Sequence, residues 1–201
     1  VLNSNKSVTI QHIVSIAVIF VWLYLSSRYN YLLFHSLIEL VTVVIGFCVF
    51  LITWHARRLL GNDCLKFLGI GYAFVAAIDL LHILAYKGMN IWPGNDANLA
   101  TQLWIAARYL QAATLCAATI FVDRRVSDRV VGVGYGAVVV VITGLIFSGH
   151  FPVCYVEGKG LTVFKIISEY VISGMLLVAF SLFYRRREVF DNKVALFLFS
   201  S

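Results

Sequence analysis

Six apolar runs follow one another along this chain, with short connections between them. They fall at Thr9–Leu25, Tyr31–Ala56, Leu65–Tyr86, Leu99–Val122, Val130–Gly149 and Leu161–Tyr184. At ~1.5 Å per helical residue, each is near or above the length that crosses ~30 Å of hydrocarbon. A seventh run begins around Lys193–Ser201 and is cut off there. The expected fold is therefore all-α: a polytopic transmembrane helix bundle of six complete spans plus the start of a seventh. Composition agrees: 61% of the 201 residues are hydrophobic and 13% charged, against about 45–50% and 25% in soluble domains. The first run is followed directly by further spans, so it reads as a helix and not as a cleaved signal peptide. Val1 in place of an initiating Met, and the interrupted last run, predict a single membrane-embedded domain over residues 1–201 that is truncated at its C-terminus.

The net charge of +6 does not point to nucleic acid, because cytoplasmic loops of membrane proteins are enriched in Lys and Arg. One set of connections carries Lys6, Arg57, Arg58, Lys66, Arg124, Arg125, Arg129, Arg185, Arg186, Arg187 and Lys193; the alternate set carries Arg28, Lys87 and Lys159. That asymmetry predicts a cytoplasmic N-terminus. Of the four cysteines, Cys48 and Cys116 fall within spans, while Cys64 and Cys154 are expected in loops on opposite sides. No CxxC spacing occurs, and no disulfide framework is expected. Gly132, Gly134 and Gly136 lack the preceding strand and following Lys-Ser/Thr of a phosphate loop. The Gly132xxxGly136 spacing instead predicts close helix packing, and Gly69, Gly71, Gly144 and Gly174 read the same way.

The informative residues are ionisable ones inside the apolar runs. His35 and Glu39 are i, i+4; Asp79 and His82 are i, i+3; Lys165 and Glu169 are i, i+4, so each pair shares one helix face. Arg108 has Trp104 one turn before it and Gln111 one turn after. With the orientation above, Glu39, Asp79, Arg108 and Glu169 fall ~12–13 Å below the outer span ends, and His35, His82 and Lys165 ~6–7 Å below them. Four helices thus place polar groups in the outer half of the membrane, where an ionisable side chain is costly and marks a functional site or a partnered network. Three carboxylates against Arg108 and Lys165 leave a formal sum of minus one, which a cation or a proton would neutralise. A satisfied ion-pair network that only holds the bundle together is the competing reading. His12, His55 and His150 sit near span ends or in a loop and read as interfacial side chains.

Imidazole and carboxylate pairs projecting from facing helices are how bundles hold metals. His35, Glu39, Asp79 and His82 are therefore candidate ligands for zinc, copper, iron or nickel. The alternative is a small organic ligand held by Arg108 or Lys165, with Trp104 or Trp92 packed over it. A small-solute or proton-coupled carrier using the same acid/base layer is a second functional class, although no inverted repeat or interrupted helix pair is visible. No HExxH occurs, so the chain itself reads as non-enzymatic.

The strings FHSLIEL, AFVAAIDLLHILAYKGMNIWPG and NLATQLWIAARYLQ resemble the third class of bacterial membrane-associated sensor domains, the MASE group. Nearly the whole chain is covered. The resemblance implies a multi-helix sensory module of the bacterial cytoplasmic (inner) membrane that precedes histidine kinase, PAS or diguanylate cyclase modules. Two-component or cyclic-di-GMP signalling follows from that. His35, Glu39, Asp79, His82 and Arg108 belong to the family pattern, with the ligand left open. The implied partners are the bilayer, a small ligand or metal ion, a cytoplasmic output module in the same full-length chain, and a second copy in a homodimer; nucleic acid is not among them.

Overall fold

The computed structural model describes residues 14, 18–57, 63–92, 97–122 and 124–186. The chain divides into two compact units, residues 1–41 and 42–201, with the boundary inside one helix. In the first unit residues 18–29 are helical (α1), and Asn30 interrupts the helix. Its Oδ1 accepts the backbone N–H of Leu33 at 3.2 Å, an N-cap that starts α2, Tyr31–Ala56. The first expected span, Thr9–Leu25, is helical from residue 18 and runs on to residue 29. Its earlier part, apart from residue 14, and the expected seventh span at Lys193–Ser201 lie outside the described residues.

The second unit holds the rest of α2, then α3 (Asp63–Ala85) and α4 (Ala97–Ala118), which tightens into a 3-10 turn at Thr119–Val122. After these come α5 (Asp128–Phe147), a two-residue hairpin of β1 (Tyr155–Val156) and β2 (Gly160–Leu161), and α6 (Val163–Arg185). Five described helices are long and apolar enough to cross a membrane: Tyr31–Ala56, Asp63–Ala85, Ala97–Val122, Asp128–Phe147 and Val163–Arg185. Among the described residues the regular structure is all-helical apart from the hairpin. The sequence reading started the last span at Leu161, but Leu161 pairs with Tyr155 in the hairpin. Gly158 and Gly160 take φ of 78° and 87°, which turns the chain back before the helix can begin. Thr162 then caps α6, its Oγ1 accepting from the Lys165 N–H at 3.3 Å.

In the second unit α3 and α4 form the centre. Half or more of their apolar stretches is buried, against less than a quarter for the other three helices. Ile78 on α3 packs with Leu103 and Ala107 of α4 and Ile146 of α5. Ile105 and Ala112, on another side of α4, pack with Ile172 of α6 and with Cys154. The outer helices expose large apolar residues such as Val140 on α5 and Leu177 on α6, as a lipid-facing surface does.

Close packing runs through some of the glycines the spacing singled out and not through others. A Cβ on Gly132, Gly134, Gly144 or Gly174 would meet nothing within 4 Å, and on Gly136 it would reach only ring atoms of Phe74 at 3.9 Å. The expected Gly132xxxGly136 contact is therefore not made among the described residues. Gly69 and Gly71 do sit at close approaches: a Cβ would lie 1.7 Å from Thr53 Oγ1 and 2.4 Å from Thr114 Cγ2. Gly46 of α2 faces Ala76 of α3, where a Cβ would come within 3.0 Å of the alanine methyl.

Polar contacts mark two ends of this unit. At one end Lys66 pairs with Asp63 at 2.8 Å and Asp128 at 3.6 Å, and Asp63 accepts the Val126 N–H at 2.7 Å. At the other, Lys87 after α3 pairs with Glu157 of the hairpin. Cys64, expected in a loop, lies in the first turn of α3 and is fully buried among Phe67, Val122 and Phe183. Cys154 is in a connection as expected, yet it too is fully buried, and burial pushes its thiol up to about 11. All four cysteines are free.

Candidate functional site

Asp79 lies on α3 and is 4% exposed. Arg108 reaches it from α4. Its Nη2 donates to both carboxylate oxygens, at 2.6 and 2.5 Å, and Nη1 donates to Gln111 Oε1 at 2.5 Å. The i, i+3 spacing puts Arg108 and Gln111 on one face of α4, so the amide helps fix the guanidinium. Two opposite charges cancel here away from water, where a lone charge would be very unfavourable. Arg108 Nε is buried and has no hydrogen-bond partner among the described residues. The cluster is thus electrically closed but has an unused donor.

Trp104, one turn before Arg108, joins this pair to a second one. The Arg108 Cζ lies 6.0 Å from its ring centroid and Lys165 Nζ lies 5.0 Å from it, both within cation–π range. Lys165 in turn pairs with Glu169 at 2.5 Å, one turn along α6. Of the basic residues expected in the layer, each takes a different carboxylate: Asp79 for Arg108 and Glu169 for Lys165. The layer is also less flat than the run boundaries implied. From the observed helix ends, Lys165 is ~3 Å, Asp79 and Glu169 ~9 Å and Arg108 ~16 Å along their helices from the hairpin-side end.

His82, one turn after Asp79, is buried, and its Nδ1 lies 2.8 Å from the Ala100 carbonyl oxygen. A carbonyl can only accept, so Nδ1 carries the proton and the lone pair of a neutral ring sits on Nε2. His35 and Glu39 belong to the first unit, on the N-terminal part of α2, where the His35 ring stacks on Tyr31 at 6.2 Å between centroids. By chemistry Asp79 and His82, and separately His35 and Glu39, remain the groups that could hold a metal. Asp79 is the least available of them, since both its oxygens are held by Arg108. His55 bonds back to the Leu51 carbonyl at 2.8 Å, and His150 lies 3.0 Å from Ser148 Oγ. His12 lies outside the described residues.

A cavity of about 450 Å³ opens beside the Asp79–Arg108 pair, wholly within residues 42–201. Three helices line it: α2 from Thr42 to Thr53, α3 from Leu65 to Asp79, and α4 from Arg108 to Leu115. Its walls are mostly apolar, and Asp79, Arg108 and Gln111 gather at one end. That volume and that mixture are typical of small-molecule sites.

Two functional-looking residues escaped the sequence reading. Asn98 and Gln102 lie i, i+4 near the start of α4, on a face that holds the segment before the hairpin. Asn98 Oδ1 accepts the N–H of Cys154 at 2.8 Å and of Tyr155 at 3.0 Å. Gln102 Nε2 donates to the carbonyls of Phe151 at 3.1 Å and Pro152 at 3.0 Å. Their spacing was visible, but uncharged amides near a span end carry little signal of their own.

Several apolar helices of membrane-spanning length, with buried charges at the centre of the unit, define a multi-pass membrane protein. Residues 26–201 match the family of membrane-associated sensor domains designated MASE3. The chain belongs to that family, and its role is that of a membrane sensor domain in signal transduction. Neither the curated proteins nor the solved structures compared with it contain a match.

Proposed function

We propose that this domain reads a ligand or metal ion at its intramembrane polar layer and passes the signal to a cytoplasmic kinase or cyclase module of a longer chain. The observation that carries the proposal is the Asp79–Arg108 pair at the wall of the cavity. Ionisable residues within spans are costly and rarely placed without a role. Here the charged cluster borders open space where a ligand fits, which a purely structural ion pair does not need. A signal biases helix packing only if the ligand binds two arrangements with different affinity. α2 is the element best placed for that, because it borders the cavity and has only Val43 and Gly46 buried. The positive-inside asymmetry supports an N-terminus in the cytoplasm, and the family resemblance supports the inner membrane of a bacterium.

The test joins the chain to its natural C-terminal continuation and measures output with and without stimulus, beside Asp79→Asn and Gln111→Leu. The expected result is output that depends on the stimulus in the parent and is uncoupled from it in the variants, with no solute flux in vesicles. Flux that needs Asp79 and Arg108 would favour the carrier instead.

The metal reading rests on the tautomer of His82, whose lone pair on Nε2 is the arrangement that metal-ligating histidines use. Asp79 with His82, and separately His35 with Glu39, are its proposed ligands, and zinc, copper, iron and nickel its candidates. Metal content of purified parent protein against His35→Ala and His82→Ala decides it. Parent protein that stays metal-free after incubation with each ion, yet still responds to its stimulus, would end that reading.

A further inference from the structure

The cavity has a direction. Along α3 its lining residues run from Leu65 to Asp79, ~21 Å of helix. The charged groups sit at the Asp79 end, and from there the walls are mostly apolar, with Ala76, Val49 and Leu68, and with Tyr72 and Thr53 as polar side chains farther along. About 450 Å³ lined along ~21 Å of helix makes an elongated slot rather than a round bowl. A compact polar solute would touch mostly hydrocarbon here. A single extended chain fits: the tails of one bilayer leaflet are ~15 Å long, which leaves room for a small head at the Asp79 end.

The charge at that end restricts the head. Asp79 already neutralises Arg108, so an anionic head would bring an uncompensated charge into a low-dielectric site. Phosphate heads are excluded on a second ground. Asp79 lies ~9 Å before the end of α3, below the level at which phospholipid headgroups sit. What the site offers is hydrogen-bond donors: the second N–H of Arg108 Nη1, whose first goes to Gln111, and the amide of Gln111, whose Oε1 is taken by Arg108 while its NH₂ carries two further donors. A small neutral acceptor satisfies them.

We infer that the slot between α2, α3 and α4 binds a single-chain amphiphile with a small uncharged acceptor head, its oxygen on Arg108 and Gln111 and its tail running along α3 towards Leu65. The inference rests on the sensory reading of this site and names its ligand class. Bound there, the tail bridges α2 to α4, since residues of both helices line the same slot. Occupancy would then set how α2 packs.

The probe is a methyl ketone with a hexadecyl tail, titrated into the chain in nanodiscs and followed by Tm and by photocrosslinking of a diazirine-tagged analogue. Palmitate and butanone serve as the charged-head and short-tail controls. Saturable binding of the long ketone, crosslinks on α2–α4, and at least about tenfold weaker binding of palmitate and butanone are expected. Val49→Phe, which fills the slot from α2 away from the ion pair, should weaken ketone binding by about tenfold or more, and Gln111→Leu by a smaller factor. Unchanged helical circular dichroism in both variants ensures that the loss is local. Non-saturable uptake, or binding that neither variant changes, overturns the inference, and so does palmitate binding more tightly than the ketone. If the long ketone fails while stimulus-dependent output still needs Asp79 and Gln111, the ligand class is wrong and the sensory reading stands. If the ketone binds as expected but those residues do not affect output, the sensory reading fails alone.

Discussion

A single guanidinium nitrogen of Arg108, Nη2, serves both carboxylate oxygens of Asp79, at 2.6 and 2.5 Å. The pair therefore meets end-on rather than fork to fork, with Nη1 on Gln111 and Nε left over. An ammonium group could replace that one nitrogen, although it could not also reproduce the Gln111 contact.

The first prediction follows. Arg108→Ala strands a buried carboxylate and should cost roughly 3–5 kcal/mol. Arg108→Lys keeps the opposite charge and should cost clearly less. Arg124→Ala, at an exposed position, should be nearly neutral. Detergent-solubilised thermal unfolding and membrane expression levels report the order. Equal losses for Arg108→Ala and Arg124→Ala would mean that the Asp79 pair contributes little.

Gly69 and Gly132 should respond in opposite ways to a methyl group. On Gly69 the new Cβ collides with Thr53 Oγ1, which is itself held by the Val49 and Phe50 carbonyls at 2.9 and 3.0 Å. Overpacking of that kind costs roughly 1–3 kcal/mol. Gly132→Ala meets no atom within 4 Å and removes a flexible residue from a helix, so stability should rise by roughly 0.5–1 kcal/mol. Unfolding midpoints of the two variants in the same detergent check both signs.

Cys64 and Cys154 should resist maleimide in the folded protein. Both are fully buried, and the Cys154 thiol, pushed up to about 11, is almost entirely protonated near pH 8. Its thiolate fraction there is roughly a hundredfold below that of a thiol with a pKa of 9, so any labelling should climb as pH rises. Topology is better read from Lys159→Cys and Arg124→Cys, at exposed connections on the two ends of the larger unit. With the N-terminus cytoplasmic, Lys159→Cys reacts from outside and Arg124→Cys from inside; the reverse pattern would invert the orientation.

Asn98 and Gln102 should govern the segment at the hairpin. Asn98→Ala removes the acceptor shared by the Cys154 and Tyr155 amides, so hydrogen exchange at those two amides should quicken while the α4 core stays protected. Gln102→Leu leaves two carbonyls without their donor, at about 1–3 kcal/mol. In either variant Cys154 should become easier to label. Unchanged exchange at Cys154 would show that packing alone holds the segment.

Hydropathy by itself determined that this chain forms helices long enough to cross a bilayer, and roughly where: the second run, Tyr31–Ala56, matches its helix end for end. It also marked Asp79, Arg108 and Gln111 as residues to watch, because a charge within an apolar run is conspicuous against a uniform background. Helix starts were less legible, as at Leu161, since two positive-φ glycines and a threonine cap act locally without changing hydropathy. Spacing along α6 already allowed Lys165 to meet Glu169, but only the tertiary structure decided which carboxylate meets Arg108. Asp79 and Glu169 are alike in sequence, and the choice depends on how α3 and α6 are rotated against α4. The same reason separates Gly69 from Gly132: a glycine packs closely only if its face of the helix meets a neighbour, and spacing along one helix says nothing about where that neighbour lies. The slot beside Arg108 is likewise a property of three helices at once, formed by residues that in the sequence are ordinary apolar ones.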